Sequence, residues 1–332
     1  MDPKPLISIL VPCYNHEDYV VQTIESLISQ SYENLELLVI DDGSRDASFQ
    51  RLLDLEPVCR KRFVRLHLEQ KRNEGVARTL NRALSLARGE FVFHLASDDF
   101  IEPDLVARLV AAAVQDSRIG LACADADFVD KQGKRIYLSP EGREVDSCAP
   151  GAAPTFMQHY AGRRTDFDYR RDFGQYWTFL RGNYIPIGLL VRRQAQIEMG
   201  GYDTSYRAED YDSWLKLSKR WRFHLIDEVL AHYRWHGSNS VIRLRNLVLR
   251  DSIRLFLRER SYCEAHELSA LWREIFRQNL SLHVAALLDQ RDWDTLLLIL
   301  RASRLPELRP FVGTIRHWIM ARLGRPAAGK TP

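Results

Sequence analysis

Short apolar runs rich in β-branched residues alternate with amphipathic helical segments through residues 6–130, and this alternation restricts the chain to an α/β fold. The run at 35–40 is apolar at all but one position, which is typical of a parallel strand buried on both faces. The pattern therefore predicts a mostly parallel, Rossmann-like sheet flanked by helices, with right-handed crossovers. The predicted strands are 6–11, 35–40, 63–68, 91–95 and 119–124.

Apolar residues at helical spacing predict helices between these strands. Val20 and Ile24 lie in one such helix, which we expect Asn15 to cap and which would carry Glu17 and Asp18 in its first turn. The other helices predicted in this region are 76–87 and 104–115.

Regular patterning is lost from 131 to 182, where 139–154 is rich in Pro, Gly and Ala, and we expect a functional or mobile loop there. The elements predicted beyond it are an apolar run at 185–191, a helix at 209–220, strands at 223–226 and 230–235, and helices after 241. We therefore predict one α/β domain over 1–240 and a helical extension over 241–332.

Composition excludes several classes of protein. The longest apolar runs fall well short of the ~18–20 residues that a membrane-spanning helix requires. The opening sequence lacks the basic and apolar regions of a secretory signal, and the five cysteines form no CxxC pair. We therefore expect a cytoplasmic protein without a disulfide framework.

Polar segments follow three of the predicted strands at their carboxyl ends, where open α/β sheets bind ligands. These segments are 12–15 (Pro-Cys-Tyr-Asn), 41–44 (Asp-Asp-Gly-Ser) and 97–99 (Ser-Asp-Asp). Because parallel strands end at the same edge of a sheet, we expect the three segments to meet there.

Two of these segments contain adjacent carboxylates, which repel each other unless a cation or hydrogen-bond donors stabilise them. A hard divalent ion on a diphosphate fits Asp98 and Asp99, and a helix N-cap explains one of them equally well. An Asp-Gly turn explains Gly43 but not both acids before it. A carboxylate there would accept the imide N–H of a uracil or thymine ring.

Further candidates lie in the second half of the α/β domain. Glu209 and Asp210 open a predicted helix, where acidic residues are common, or else supply a general base for a hydroxyl. His236 follows a predicted strand and is a candidate for a metal or phosphate contact. The sequence has no GxGxxG after the first strand, no P-loop, no GxSxG and no HExxH.

With these segments in order, residues 6–240 resemble the family 2 glycosyltransferases, which are inverting enzymes of GT-A fold. Seven segments carry the resemblance: 8–15 (SILVPCYN), 39–46 (VIDDGSRD), 73–78 (NEGVAR) with Asn81, 89–90 (GE) before 97–99, 200–203 (GGYD), 208–214 (AEDYDSW) and 233–236 (YRWH).

The resemblance implies metal-dependent transfer of a sugar from a UDP- or dTDP-sugar to a hydroxyl of a glycan or lipid-linked saccharide, of the bacterial polysaccharide or O-antigen type. Residues 1–130 would bind the nucleotide and 131–240 the acceptor. Asp99 and His236 would hold Mn²⁺ or Mg²⁺, while Asp210 would act as the base and Glu209 would position the acceptor. The nucleotide-binding residues implied are Pro12, Tyr14, Asp42, Arg78 and Asp98.

One departure from the family pattern keeps a second function open. Many family members carry Asp-x-Asp-Asp at the metal site, whereas 96–99 here reads Ala-Ser-Asp-Asp. A non-catalytic nucleotide-sugar-binding subunit that scaffolds a partner transferase is therefore the second hypothesis. Nucleotidyl transfer is disfavoured because no glycine- and lysine-rich loop follows the first strand. Nucleic-acid binding is disfavoured because no basic stripe interleaved with aromatic residues is present.

The C-terminal extension is basic, with 16 Lys and Arg against 9 Asp and Glu over 241–332. Part of it predicts an amphipathic helix. That helix would bind an anionic surface at the inner face of the membrane, or it would pack against the catalytic domain or a second subunit. The apolar face comprises Phe311, Ile315, Trp318, Ile319 and Leu323, with Arg309, Arg316, Arg322 and Arg325 nearby.

Overall fold

The computed structural model describes residues 4–162, 164, 166–289, 291–302, 312, 313 and 315. The chain divides into two compact units, Met1–Arg243 and Leu244–Pro332. Of the apolar face predicted over 311–323, only Ile315 lies within the described residues.

Ten strands of the described part of the first unit form its sheet. They are β1 (Ile7–Cys13), β2 (Leu35–Asp41), β3 (Arg65–Gln70), β4 (Phe91–His94), β5 (Phe100–Ile101), β6 (Ile119–Val129), β7 (Arg135–Leu138), β8 (Glu144–Val145), β9 (Leu189–Arg192) and β10 (Arg222–Arg234). The main path runs β3-β2-β1-β4-β9-β6-β10-β5, and β7 pairs with β6 and β8.

The helices of the first unit lie between these strands, except the last, which follows β10. They are α1 (Val20–Ile28), α2 (Ser48–Arg62), α3 (Val76–Leu86), α4 (Leu105–Gln115), α5 (Phe156–Tyr160), α6 (Tyr169–Asp172), α7 (Tyr176–Phe179), α8 (Arg193–Glu198), α9 (Glu209–Leu217) and α10 (Ser240–Arg243).

The sheet is mostly parallel, as the sequence predicts. β1 pairs in parallel with β2 and β4, β2 with β3, and β6 with β10. β9 lies antiparallel between β4 and β6, so these two strands still run in the same direction. The carboxyl ends of β1, β2, β4, β6 and β10 therefore share one edge, which we call the carboxyl rim.

Some sequence-based boundaries were wrong. The strands predicted at 223–226 and 230–235 form the single strand β10, whose pairing with β6 is irregular between Ile226 and Ala231. Helix α2 was missed because its buried residues are few and Pro57 lies inside it. Between 131 and 182, the strands and helices have only two to five residues, too few to show a period.

The predicted cap at Asn15 was also wrong. Helix α1 begins at Val20, beyond Glu17 and Asp18, and none of its N-terminal N–H groups bonds to Asn15. Asn15 has a positive φ of 55°, and its Oδ1 accepts from the backbone N–H of Arg45 at 2.9 Å. The asparagine thus joins two loops at the carboxyl rim instead of starting a helix.

The second unit is helical, as predicted for its described part. Its helices are α11 (Arg245–Arg258), α12 (Arg260–Ala265), α13 (Ser269–Asp289) and α14 (Trp293–Ala302). A buried stack of Phe256, Trp272 and Phe276 forms part of its core, with adjacent ring centroids 5.1 and 4.8 Å apart. Among the described helices of both units, none is long and apolar enough to cross a membrane.

Candidate active site

Hydrogen bonds join the loops that follow β1 and β2, so the predicted segments 12–15 and 41–44 do meet at the carboxyl rim. The backbone N–H of Asn15 donates to Ser44 Oγ at 2.8 Å, and that of His16 donates to Ser48 Oγ at 2.8 Å. Asp41 accepts from the backbone N–H of Ser44 at 2.8 Å and so closes the turn. The two loops form one hydrogen-bonded wall of the site.

Asp42 is buried and already has donors on both carboxylate oxygens. It accepts from the backbone N–H groups of Glu74 and Gly75 at 2.9 and 2.8 Å, and it forms an ion pair with Lys71. These contacts hold the 71–75 loop, which leads into α3, against the end of β2. A base N–H at Asp42, as the resemblance implies, would therefore share an oxygen with these donors.

The other predicted nucleotide-binding residues lie at the carboxyl rim or on α3. Pro12 and Tyr14 are half-buried at and just after the end of β1. Arg78 is exposed in the first turn of α3 and has no ion-pair or hydrogen-bond partner among the described residues. The first turn of α3 is the positive end of the helix dipole, a place suited to a phosphate.

His16, Asp98 and His236 form a cluster whose ligand atoms all lie within 4.8 Å of one another. Asp98 Oδ2 lies 3.0 Å from His236 Nε2 and 3.6 Å from His16 Nε2. The other ring nitrogen of each histidine lies near a serine: His16 Nδ1 is 2.8 Å from Ser97 Oγ, and His236 Nδ1 is 2.6 Å from Ser238 Oγ. Each imidazole therefore turns Nε2 toward the carboxylate.

This cluster fits a divalent cation. Two imidazoles and a carboxylate are a common donor set for first-row divalent metals, and hydrogen bonds to the outer ring nitrogens are the usual way such ligands are oriented. Burial favours the neutral form of Asp98, but the hydrogen bond from His236 and the charge of His16 hold the pKa of Asp98 below its ordinary value. Asp98 is therefore available as a carboxylate ligand.

Asp99, for which the resemblance implies a metal role, lies outside this cluster of ligand atoms. Asp99 is fully buried, its Oδ1 accepts from the backbone N–H of Arg234 at 2.9 Å, and its Oδ2 has no hydrogen-bond partner among the residues that the structure describes. Burial and the neighbouring charge of Asp98 raise the pKa of Asp99 well above its ordinary value. Ser97 and Asp98 lie in a turn that brings Asp98 Oδ2 to 3.0 Å from His236 Nε2.

Asp210 and Glu209 begin α9, as predicted. Asn183 Nδ2 donates to Asp210 Oδ2 at 2.7 Å, and the backbone N–H of Tyr211 donates to Asp210 Oδ1 at 2.7 Å. Burial raises the pKa of Asp210 despite these two donors. Asp210 thus has the raised proton affinity that suits a general base, and Glu209 is buried beside it in the first turn.

Tyr233 connects the cation cluster with Asp210 electrostatically. Burial raises the pKa of Tyr233 well above its ordinary value, and the charges of Asp99, Asp98 and Asp210 are among the further causes. Both acidic groups therefore act on one side chain near the end of β10.

Two further family segments also meet. Asn81 Nδ2 on α3 donates to Tyr202 O at 2.7 Å, and Tyr202 N–H donates back to Asn81 Oδ1 at 2.8 Å. A Cβ on Gly201, which has a φ of 72°, would lie 2.5 Å from Asn81 Oδ1. Burial and the charges of Glu209 and Asp210 raise the pKa of Tyr202, so this contact links α3 to α9.

Sequence reasoning missed His16, Asn183 and Ser238 as members of the site. His16 directly follows the 12–15 segment, so its place in the chain was a usable signal. Asn183 and Ser238 had no such signal, because neither lies in a periodic element nor in an acidic pair.

His232, next to the site on β10, bridges two other acids. Its Nδ1 is 2.7 Å from Asp127 Oδ1, its Nε2 is 3.0 Å from Glu102 Oε1, and its ring stacks on Phe100. Burial lowers the pKa of His232, but Asp127 and Glu102 outweigh burial and raise it above its ordinary value. A protonated His232 thus holds β5 and β6 to β10.

We expect this bridge to make folding stability depend on pH. Because the folded pKa of His232 is raised, its contribution is complete below pH ~6.5 and is lost as pH rises through the folded pKa. Urea unfolding at pH 6 to 9 should show a decline in the free energy of unfolding that His232→Gln removes. A decline of equal size in His232→Gln would contradict this assignment, and His67→Gln on β3 is the control.

Comparison with known proteins identifies a family model and relatives that this chain resembles. Residues 8–171 match the family model "Glycosyl transferase family 2". An uncharacterized glycosyltransferase of Haemophilus influenzae is 34% identical over 43% of this chain and 55% of its own length. A chondroitin synthase of Escherichia coli is 26% identical over 72% of this chain and 30% of its own length. The chain thus spans about half, or less, of the length of these relatives.

A solved structure gives the same result for the fold. TarS 1–349 of S. aureus, in complex with UDP-GlcNAc, superposes with a TM-score of 0.58 at 19% identity. The match covers 95% of this chain and 81% of that one. The GT-A fold expected from the sequence is confirmed.

Proposed function

Because this chain belongs to the family 2 glycosyltransferases, we propose that it transfers a sugar from a nucleotide-sugar to a hydroxyl acceptor with inversion at the anomeric carbon. The observation that carries the proposal is that several family segments contact one another: Asp98 lies 3.0 Å from His236, the 12–15 segment bonds to the 41–44 segment, and Asn81 bonds to Tyr202. Sugar transfer needs a cation to stabilise the leaving diphosphate and a base to activate the attacking hydroxyl, both held in place around one donor sugar.

The residues of the cation cluster would hold Mn²⁺ or Mg²⁺, and such an ion, when bound, acts as a Lewis acid on the diphosphate. Arg78 would add positive charge at the phosphates from the first turn of α3. Asp210 would accept the proton of the acceptor hydroxyl. The remaining proposed roles are those of Pro12, Tyr14 and Asp42 at the base and Glu209 at the acceptor.

For the substrates, we propose a UDP- or dTDP-sugar donor and a growing glycan or lipid-linked saccharide as the acceptor. The proposal is supported by the chondroitin synthase relative and by the fold shared with a protein that binds UDP-GlcNAc. Residues 1–130 would bind the donor, together with His236, and 131–240 the acceptor.

Donor hydrolysis tests the proposed function directly. We expect Mn²⁺-stimulated release of UDP or dTDP from at least one donor in a panel of nucleotide sugars, and loss of that release with a chelator. GDP- and CMP-sugars serve as controls for the base pocket. Donor binding without turnover across donors and acceptors would favour the alternative, a nucleotide-sugar-binding subunit that scaffolds a partner transferase.

We propose an anionic lipid surface as the partner of the C-terminal unit. Trp293, Leu297 and Leu300 are 57, 47 and 38% exposed and lie one turn apart on one face of α14. The 30 residues after α14 carry six Lys and Arg against one Glu. An apolar face beside a basic segment is typical of helices that lie in a membrane interface.

Liposome flotation distinguishes this partner from a second copy of the chain. We expect the protein to float with vesicles containing anionic lipid, and Leu297→Glu to reduce the floated fraction severalfold. Val64→Glu, at an apolar residue of the first unit that is 63% exposed, should leave flotation unchanged. Equal flotation of all three proteins would contradict the proposal, and concentration-dependent dimerisation lost only in Leu297→Glu would favour the second copy.

A further inference from the structure

We infer that His16 is a direct ligand of the cation, so that this chain binds its metal with two imidazoles and one carboxylate and prefers first-row transition ions to Mg²⁺. The inference rests on the proposed function and extends it to a residue outside the sequence-predicted set. It also assigns Ser97 as the residue that positions His16.

The position of His16 is compatible with direct binding to the cation. His16 Nε2 lies 3.6 Å from Asp98 Oδ2, which in turn lies 3.0 Å from His236 Nε2. Ligand atoms of one metal are separated by such distances, because each sits about 2.0–2.2 Å from the ion. The histidine is also fixed in place, since its backbone N–H donates to Ser48 Oγ at 2.8 Å.

Ser97 determines which ring nitrogen of His16 faces the cluster. The serine is fully buried, and its Oγ lies 2.8 Å from His16 Nδ1. When Nε2 binds a cation, the ring proton resides on Nδ1 and is donated to Ser97. His236 is held in the same manner by Ser238, with 2.6 Å between Nδ1 and Oγ. Two serines thus prepare two imidazoles for the same ion.

This arrangement gives the Ala-Ser-Asp-Asp sequence at 96–99 a physical explanation. Where many family members carry an acid at the first of these positions, this chain instead adds an imidazole from the loop after β1. Replacing an oxygen donor by nitrogen changes metal preference, because Mg²⁺ favours oxygen ligands and imidazole suits Fe, Ni, Cu and Zn. Affinity should therefore rise from Mn²⁺ to Co²⁺, with Mg²⁺ below both.

A metal-binding measurement on the full chain tests the inference without relying on turnover. Pulsed EPR of bound Mn²⁺, with UDP present, should show nitrogen couplings from two imidazoles in the wild type and from one in His16→Gln. We expect His16→Gln to weaken Mn²⁺ binding at least about tenfold, since loss of an outer partner alone costs about 10–100-fold. His67→Gln, a half-buried histidine paired with Glu69, should bind Mn²⁺ as the wild type does.

Two more variants separate ligation from folding. His16→Asp restores an oxygen donor and should move the Co²⁺ to Mg²⁺ affinity ratio at least about tenfold toward Mg²⁺. Ser97→Ala should weaken Mn²⁺ binding by about 10–100-fold, and Ser97→Thr, which keeps the hydroxyl, should recover most of it. Thermal unfolding of each variant identifies any loss that comes from the fold.

The outcomes distinguish this inference from the proposed function. Unchanged Mn²⁺ affinity and two remaining nitrogen couplings in His16→Gln would overturn the inference while leaving sugar transfer intact. A wild type that shows two couplings but turns over no donor would support His16 as a ligand and count against the proposed function. A wild type that binds no Mn²⁺, with or without UDP, would overturn the inference.

Discussion

Asp210→Asn is expected to lower kcat for sugar transfer by about 10²–10⁴-fold, the range that a positioned general base contributes. The amide keeps the shape of the side chain and can still accept from Tyr211 N–H, but it cannot take the proton of the acceptor hydroxyl. The KM for the donor should change little, because the cation cluster and α3 are untouched. Steady-state kinetics with a fixed acceptor measures both values.

The pH profile gives the same residue a second test. Asp210 must be ionised to act, and burial raises its pKa. The acid limb of kcat/KM should therefore lie above the ordinary carboxyl range near pH ~4, with activity rising as pH rises through the folded pKa. Asn183→Ala removes a hydrogen bond that lowers the pKa of Asp210, so the limb should move further toward high pH.

Asp54→Asn is a matched control for Asp210→Asn. Asp54 lies on the exposed face of α2, where it accepts from Gln50 in the preceding turn. Its substitution should leave kcat and the pH profile unchanged. If Asp210→Asn turned over donor and acceptor at the wild-type rate, Asp210 would not be the base.

The shared carboxyl edge of the first strands could be predicted because it follows from elementary rules. β1, β2 and β4 are apolar enough to be buried on both faces, and parallel strands end at one edge. The sequence therefore predicted that the segments 12–15, 41–44 and 97–99 meet at one edge before any coordinates. It could not place β9, whose antiparallel insertion between β4 and β6 depends on pairing over long distances in the chain.

Side-chain direction was the main limit for the site. Asp98 and Asp99 are adjacent and chemically identical, so the sequence cannot state which of them faces the cluster. The answer depends on Arg234, whose backbone N–H binds Asp99 across 135 positions of chain. His16 illustrates the same limit, because its role depends on Ser97 and His236, neither of which is near it in the sequence.

Asp42 shows how one residue can serve both fold and site. Its contacts with Glu74, Gly75 and Lys71 fix the loop that leads into α3, and α3 presents Arg78. The sequence indicated a polar contact at this aspartate but gave no sign that the partner is the chain itself. An interpretation of Asp42 as a ligand contact alone therefore overlooks its role in holding the 71–75 loop.

The pair Asp98→Asn and Asp99→Asn tests which of the two aspartates is the cation ligand. Asp98→Asn removes the charged ligand between His16 and His236, and we expect Mn²⁺-dependent turnover to fall by at least about 10²–10³-fold, the cost of losing one electrostatic contact to the developing charge. Mn²⁺ affinity should fall in parallel, as measured by calorimetry. Excess Mn²⁺ should recover only part of the activity.

Asp99→Asn should behave differently, although it changes the neighbouring residue in the same way. Asp99 lies outside the cluster of His16, Asp98 and His236, and an amide of the same shape can still accept from Arg234 N–H. Mn²⁺ affinity should therefore stay within about threefold of the wild type, a difference below ~1 kcal/mol. The reverse result, with Mn²⁺ lost in Asp99→Asn and kept in Asp98→Asn, would restore Asp99 as the ligand. It would also require the 97–99 segment to turn over when the metal binds, because in this structure Asp98 alone faces the two imidazoles.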